Sequence, residues 1–220
     1  EFWAKGYVKF DLPKEDNTVK MSEYRENPMV NRLGTPSGKI EIFSKKIAKY
    51  NYSECRAYPS WFEPVEWHGN KENKDYPLGL VSPHPKYRLH AQLNNTWIRG
   101  LEEVQEREPA WINPEDAKAH KIKTGDIVKV SSKRGSILAG AIVTTKIRQG
   151  TVRIQEGSWY DPENWTDESP LEIHGDVNVL TIDKSTSELA QACCITANIK
   201  IEKYNGNVPQ IKAFQAPQII

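Results

Sequence analysis

The chain has 220 residues, which is enough for one large domain or two small ones. Its 30 Lys and Arg residues are balanced by 29 Asp and Glu residues, for a net charge of +1. This balance excludes a histone-like nucleic-acid binder and a polybasic membrane anchor, because both need a large excess of positive charge. No run approaches the ~20 consecutive apolar residues of a membrane-spanning helix, so we predict neither membrane insertion nor a nucleic-acid partner.

The start of the chain indicates a longer polypeptide, and the spacing of its cysteines bears on zinc binding. The chain begins at Glu1 with no initiator Met and no signal peptide, and we expect it to be a piece of a longer polypeptide. Its three cysteines, Cys55, Cys193 and Cys194, form no Cys-x-x-Cys pair. A structural zinc site built on cysteine is therefore not predicted.

The first third of the chain, residues 1–75, lacks strong hydrophobic periodicity. Composition predicts a turn at residues 35–38. A strand is predicted at residues 39–44, where Ile40 and Ile42 alternate with charged residues. A short helix is predicted to follow at residues 44–50.

From Tyr76 onward the sequence is typical of a mainly β fold with short helices. A buried strand at 76–81 is predicted to end before Pro83, because proline cannot continue a central ladder. Asn113 and Pro114 match the cap and first position of a short helix at 114–120. Closely spaced strands joined by glycine turns indicate a closed or nearly closed barrel. Further strands are predicted at 126–131, 137–145, 151–155, 178–181 and 195–202, with a hairpin turn at 133–136 and a more helical segment at 185–193.

The loop at residues 82–95 holds the densest group of polar side chains. Arg88 can bind a phosphate through two parallel hydrogen bonds, and Lys86 can add a point charge. His84 and His90 can donate hydrogen bonds to anions or to a polar heterocycle. A metal site is disfavoured, because the two histidines are six residues apart and no acidic residue joins them. The alternative is a solvated loop without a ligand.

Two further segments carry candidate binding groups. The carboxylate of Asp116 can accept two parallel hydrogen bonds from a guanine edge, and Asn113 can support the same base. Helix capping is the stronger explanation of Asn113, because the Asn-Pro order fits a cap, and Asp116 can simply complete a capping box. Asn178 and Gln191 carry amides that can recognise a polar ring, although either can be a turn residue. No Gly-x-Ser-x-Gly, His-Glu-x-x-His or phosphate-binding loop is present, so no catalytic residue and no metal ligand is predicted.

Seven sequence motifs occur in one order along the chain. They are Ser-Pro-His-Pro-x-x-Arg-Leu-His at 82–90, Trp-Ile-Asn-Pro-Glu-Asp-Ala at 111–117, Gly-Asp-Ile-Val at 125–128, Arg-Gly-x-x-Leu-Ala-Gly-Ala at 134–141, Glu-Gly-x-Trp-Tyr-Asp-Pro at 156–162, Asn-Val-Leu-Thr at 178–181 and Thr-Ser-x-Leu-Ala-Gln at 186–191. This series resembles the C-terminal part of the molybdopterin oxidoreductases of the dimethyl-sulfoxide reductase family. Within that family it is most similar to the trimethylamine-N-oxide and biotin-sulfoxide reductases.

The resemblance implies a fold, a cofactor and a set of binding residues. Residues 76–220 would form a double-psi β-barrel of the aspartate-decarboxylase-like type that binds bis(molybdopterin guanine dinucleotide), and residues 1–75 would link it to preceding catalytic domains. The family often has Ser where this chain has Ala91, so one hydroxyl contact is lost. By matched position, His84, Arg88, His90 and Gln92 would contact the dinucleotide, Asn113 and Asp116 a guanine, and Asn178 and Gln191 the pterin or diphosphate.

The resemblance also implies an activity for the longer polypeptide. It would reduce N-oxides or S-oxides, with trimethylamine N-oxide as the expected substrate, by oxygen-atom transfer to molybdenum in periplasmic anaerobic respiration. The family's serine ligand of molybdenum has no counterpart here, so the chain alone is expected to be inactive. Expected partners are the N-terminal domains of the same polypeptide and a c-type cytochrome that donates electrons.

Two alternative functions remain open from the sequence. One is the same domain from a family member that acts on a different substrate. The other is a stand-alone Trp-rich β-barrel that binds a carbohydrate or a peptide. A module of that second kind would present its aromatic side chains on one face.

Overall fold

The fold comes from a computed structural model that describes residues 2–11, 19–70, 74–185, 187 and 196–216. The chain divides into two compact units, Glu1–Trp61 and Phe62–Ile220. Among the described residues, no helix is long and apolar enough to cross a membrane.

The first unit contains three short helices: α1 (Phe2–Lys5), α2 (Ser22–Glu26) and α3 (Lys45–Ala48). Helix α3 confirms the predicted helix, and its cap is Ser44, whose side chain accepts a hydrogen bond from the Ile47 backbone. The strand predicted at 39–44 is wrong. Ile40 and Ile42 are both exposed, and the described part of this unit offers no neighbouring strand to pair with them. Alternation alone does not make a strand, because its backbone groups also need a partner.

The second unit is a barrel whose strands are four to eight residues long. The strands are β1 (Leu78–Val81), β2 (Pro109–Ile112), β3 (Ile127–Ser131), β4 (Ser136–Val143), β5 (Thr151–Ile154) and β6 (Ala197–Lys203), with helix α4 (Pro114–Ala119) after β2 and two 3₁₀ helices at Arg99–Leu101 and Val177–Val179.

Within the described residues these six strands close into a barrel in the order β1-β5-β2-β4-β3-β6. The pairs β1/β5 and β2/β4 are parallel, and the other four pairs are antiparallel. The predicted mainly β barrel is confirmed. The predicted strand at 178–181 is wrong, since this segment overlaps the second 3₁₀ helix, in which Asp176 caps the Asn178 backbone. Strand β2 was not predicted from the sequence.

The barrel core follows from the alternation along β4. Ile137, Ala139 and Ala141 lie in the main hydrophobic cluster, whereas Leu138 lies in a second cluster with Ile173. Successive side chains of a strand point to opposite faces, so β4 is covered on both sides. This double cover explains why the strand is apolar over nearly its whole length.

Strand pairing determines which loops meet at each end of the barrel. Because β1 and β5 are parallel, the loops that follow them leave from the same end, and the Glu156 backbone N–H donates to the Pro83 carbonyl at 3.1 Å. Helix α4 follows β2, which is antiparallel to β5, and therefore lies near the opposite end of β5.

A buried ion pair ties the segment before β1 to the barrel. Both carboxylate oxygens of Glu66 accept hydrogen bonds from Arg134, at 2.7 and 3.0 Å, and one also accepts from the Asn198 backbone at 2.8 Å. Burial opposes ionisation of Glu66, but these donors prevail and lower its pKa below the ordinary value of 4.5. The carboxylate is thus held ionised against the strands.

We expect Glu66→Ala to lower the free energy of unfolding by about 2 kcal/mol, because Arg134 loses its carboxylate partner and the Asn198 backbone N–H loses its acceptor. The stability from Glu66 should be full above pH 4.5 and be lost as the pH falls through the lowered pKa. Urea unfolding at pH 7 and pH 3.5 measures both effects. Glu168→Gln, an exposed carboxylate, is the control; equal losses in both variants would contradict the role of Glu66.

Candidate functional site

A buried carboxylate with two arginines lies beneath the loop at residues 82–95. Oε1 of Glu108 accepts hydrogen bonds from Arg88 at 2.5 Å and from Arg99 at 2.6 Å, and its Oε2 accepts from Gln155 at 2.9 Å. Glu108 precedes β2 and Gln155 follows β5, and all four side chains are buried. Desolvation lowers the pKa of Arg99, while the charge of Glu108 opposes this change.

Asn94 joins the same two arginines from the loop itself. Its Oδ1 accepts hydrogen bonds from Arg88 at 2.8 Å and from Arg99 at 2.5 Å. Its Nδ2 is fully buried and has no hydrogen-bond partner in the part of the chain that the structure describes. The loop is therefore attached to the barrel through charged hydrogen bonds, which are stronger than neutral ones.

This arrangement leaves Arg88 little surface for a ligand. Its Nη1 also donates to the Gly157 carbonyl at 3.3 Å, and its side chain is 1% exposed. A direct two-pronged bond to phosphate would require Arg88 to leave Glu108. The structure thus gives Arg88 a positioning role below the loop surface.

Above this network, three side chains converge. Nδ1 of His84 and Nδ1 of His90 each lie 2.5 Å from Oε1 of Glu156, and the two imidazole rings meet edge to face at 4.7 Å. Both histidines are exposed. Glu156 is thus an acidic residue that joins the two histidines, and the prediction that none would do so is wrong. Glu156 is distant in sequence and reaches them because β1 and β5 pair side by side.

Gly157 and Trp159, which both follow β5, fix the backbone of the loop at residues 82–95. Gly157 has φ +91°, and a Cβ added there would lie 2.0 Å from the His90 carbonyl oxygen. Only glycine allows this close approach. The indole N–H of Trp159 donates to the Ala91 carbonyl at 3.0 Å, so Trp159 holds the loop as well as packing at its rim.

The loop also presents polar side chains to solvent. Gln92 is exposed, and its backbone N–H closes a turn onto Leu89. Lys86 is exposed and donates to the Tyr87 hydroxyl at 2.8 Å. These donors lie on the same loop as His84 and His90, so the surface above the buried network is rich in hydrogen-bond donors.

Asn113 and Asp116 lie toward the other end of β5. Asn113 caps α4 by accepting from the Glu115 backbone at 3.0 Å, and its Nδ2 donates to the Ile147 carbonyl. Oδ2 of Asp116 accepts from the Gly150 backbone at 2.7 Å, just before β5 begins. Among the described residues none donates to its Oδ1, and the residue is buried, with 8% of its surface exposed.

A histidine that was not among the predicted site residues packs against Gly150, whose backbone N–H donates to Asp116. A Cβ added at Gly150 would lie 2.6 Å from the His68 ring, so the imidazole packs directly on this glycine. The sequence gives no sign of this contact, because His68 lies in a connector far from α4. The side of the barrel with Asp116 thus carries an imidazole of its own.

The two remaining predicted site residues, Asn178 and Gln191, belong to neither of these groups. Asn178 is exposed in the second 3₁₀ helix, beside the turn between β3 and β4, because Val179 packs on Gly135. Gln191 lies outside the described residues. The structure thus brings His84 and His90 together above Arg88 and keeps Asn113 and Asp116 apart from them. A strand rises about 3.3 Å per residue, so the four residues of β5 separate the two groups by at least about 10 Å.

Two further titratable groups, Glu172 and His174, are buried in the barrel unit. Burial raises the pKa of Glu172 to about 7, although its carboxylate accepts backbone hydrogen bonds from His174, Gly175 and Asp176. Burial and the charge of Arg99 lower the pKa of His174 to about 3. His174 Nδ1 donates to the Trp159 carbonyl at 2.8 Å, and its Nε2 is buried with no partner among the described residues.

Comparison with known families decides the class of this barrel. Residues 78–198, more than half of the chain, match the molydopterin dinucleotide binding domain. The chain belongs to this family. The membership confirms the resemblance recognised in the sequence and identifies the ligand class of the domain as a molybdopterin dinucleotide. The family match contains every predicted site residue.

Curated relatives extend the similarity over nearly the whole chain. It is 51% identical to a trimethylamine-N-oxide reductase of Haemophilus influenzae, covering 99% of this chain and 27% of that protein. It is 46% identical to a dimethyl sulfoxide/trimethylamine N-oxide reductase of Cereibacter sphaeroides, covering 99% and 26%. The chain therefore spans about a quarter of the length of these relatives.

A solved structure supports the fold of the domain. The acetylene hydratase of Pelobacter acetylenicus superposes with a TM-score of 0.62 at 19% sequence identity, covering 81% of this chain and 25% of that one. At this identity the likeness shows the fold and nothing about substrate.

The chemistry of the exposed groups fits a dinucleotide. A molybdopterin dinucleotide carries an anionic diphosphate and polar rings, which need hydrogen-bond donors and acceptors on an accessible surface. The loop supplies exposed imidazoles and an amide at His84, His90 and Gln92.

We expect Glu108→Ala to lower the free energy of unfolding by about 3–5 kcal/mol, because two buried guanidinium groups lose their carboxylate. Glu103 also pairs with Arg99, at 3.1 Å, but its side chain is 26% exposed. Glu103→Gln is therefore the matched control, with an expected loss below about 1 kcal/mol. Urea unfolding at neutral pH measures the free energy of unfolding of both variants. Similar losses in Glu108→Ala and Glu103→Gln would contradict the larger role of Glu108.

His174 should make the free energy of unfolding depend on pH. The sign is opposite to that expected from Glu172, because the pKa of His174 is lowered and that of Glu172 is raised. A base whose folded pKa is lowered loses stability as the pH falls, here between 6.5 and about 3. His174→Asn keeps a donor for the Trp159 carbonyl but does not titrate there. Relative to this variant, the native chain should lose about 3 kcal/mol between pH 6.5 and pH 4. A constant difference in unfolding free energy would contradict the buried neutral imidazole.

Proposed function

We propose that this chain is the part of a longer molybdenum oxidoreductase that holds bis(molybdopterin guanine dinucleotide). One observation carries the proposal: polar groups suited to an anion and to a guanine lie at two ends of the same strand, β5. An elongated dinucleotide laid along the barrel would meet both. A small ligand would meet only one.

Each end contributes different chemistry to this binding. His84, His90 and Gln92 would donate hydrogen bonds to the anionic and pterin portions, and Arg88 would hold their loop from below. Asp116 would accept hydrogen bonds from the guanine through Oδ1 while its Oδ2 stays on Gly150. Asn113 would keep α4 in place by its cap. Asn178 and Gln191 would contact the pterin or diphosphate.

The bound cofactor would supply two-electron oxygen-atom transfer, and the protein would orient it and exclude water. We propose that the longer polypeptide reduces N-oxides or S-oxides, with trimethylamine N-oxide as the first candidate. This proposal is supported by similarity over 99% of the chain to a trimethylamine-N-oxide reductase. Its partners would be the preceding domains of the same polypeptide and a c-type cytochrome, in the periplasm.

The guanine end of the proposed site can be tested by itself. We would record amide NMR spectra of the chain with GMP, and with AMP as the base control. GMP should shift the amides of Asn113, Glu115, Asp116 and Gly150, because guanine offers two adjacent donors to a carboxylate and adenine does not. Equal shifts with both nucleotides would contradict a guanine site on α4.

Asp116→Asn sharpens this test. Its amide oxygen still accepts from Gly150, but its NH₂ opposes the donors of guanine, so GMP affinity should fall roughly 5- to 150-fold. Glu115→Gln, an exposed neighbour on α4, is the matched control and should bind GMP as the native chain does.

A further inference from the structure

The convergence of His84, His90 and Glu156 has the composition of a metal centre. One nitrogen from each imidazole and one carboxylate oxygen lie within 4.8 Å of one another. Two histidines and a glutamate, with a water as fourth ligand, are a common donor set for Zn²⁺. Imidazole nitrogen also favours zinc and its transition-metal neighbours over Mg²⁺ or Ca²⁺, which prefer oxygen ligands.

We propose that His84, His90 and Glu156 bind a divalent transition metal ion, with Zn²⁺ as the best-matched ion, when no dinucleotide covers the loop. The inference does not depend on the proposed oxidoreductase activity. It assigns to these three side chains a ligand that the family does not specify. Metal and dinucleotide would compete, because both would use the same two imidazoles.

The geometry needs only a small adjustment to admit the ion. Ligand atoms about 2.1 Å from a tetrahedral Zn²⁺ lie about 3.4 Å from each other, compared with the 2.5 Å contacts between each histidine and Glu156. The side chains of His84 and His90 are 70% and 55% exposed, so both can move outward into solvent. Each Nδ1 must lose its hydrogen to bind, and the hydrogen can move to Nε2.

The backbone beneath the three side chains is well fixed. The close approach of Gly157 to the His90 carbonyl and the bond from Trp159 to Ala91 hold one histidine beside the glutamate. The Glu156 backbone bond to Pro83 holds the other histidine's segment. The ligand-bearing backbone is thus positioned before any ion binds, which lowers the ordering cost of binding.

The test is calorimetric titration of the 220-residue chain with zinc chloride. Cys55, Cys193 and Cys194 can also bind zinc, so the titration is repeated with all three replaced by Ser. We expect saturable binding of one zinc per chain in both proteins. His84→Gln and His90→Gln should each weaken it at least about tenfold, as loss of a metal-site residue does.

A matched variant separates this site from general histidine binding. His120 lies at the end of α4, away from Glu156, and His120→Gln should leave zinc affinity unchanged. Circular dichroism checks that each variant is folded. Cobalt(II) substitution should give the visible absorption of a four-coordinate site in the native chain and not in His84→Gln.

Three results would overturn the proposal. They are no saturable zinc binding by the Ser-substituted chain, equal affinity in His84→Gln and the native chain, and loss of binding in His120→Gln alone. A chain that binds zinc at these residues but not GMP would support the metal site and count against the guanine site. The two proposals are therefore tested separately.

Discussion

Glu108 accepts hydrogen bonds from two arginine side chains in the interior of the protein, and the loop above it depends on that arrangement. Arg88 comes from the loop, Arg99 from the 3₁₀ helix that follows it, and Gln155 from the end of β5. A buried charge is costly unless it is paired, so these elements are held in a single geometry. The exposed histidines are consequently presented on a rigid base, and rigid presentation lets weak individual contacts add up to specific binding.

Strand pairing in the closed barrel brings residues that are distant in sequence to this network. Parallel pairing of β1 with β5 places residues that are 72 apart in sequence, His84 and Glu156, in contact. Antiparallel pairing of β5 with β2 places α4 toward the other end of the same strand. A single strand thus connects the loop at residues 82–95 with α4, the two places where we propose that the dinucleotide binds.

Much of this fold could be predicted from the sequence, because β5 alternates, β4 is a long apolar run and helix α4 carries an Asn-Pro cap. Strand β2 escaped prediction because its four residues open on a proline and form neither an alternating pattern nor a long apolar run. Glu156 escaped because its role follows from a strand pairing that no local pattern reveals. Arg88 was expected at the surface, since polar loops are usually solvated, but a buried carboxylate holds it inside. Local preferences are thus visible in the sequence, whereas long-range pairing and burial of charge are not.

One elongated dinucleotide should contact both ends of β5. A cryo-electron microscopy structure of the longer polypeptide loaded with its cofactor tests this arrangement. We expect continuous cofactor density from His84 and His90 at one end to Asp116 at the other. Density that touches only one of these groups, or that leaves both facing solvent, would contradict it.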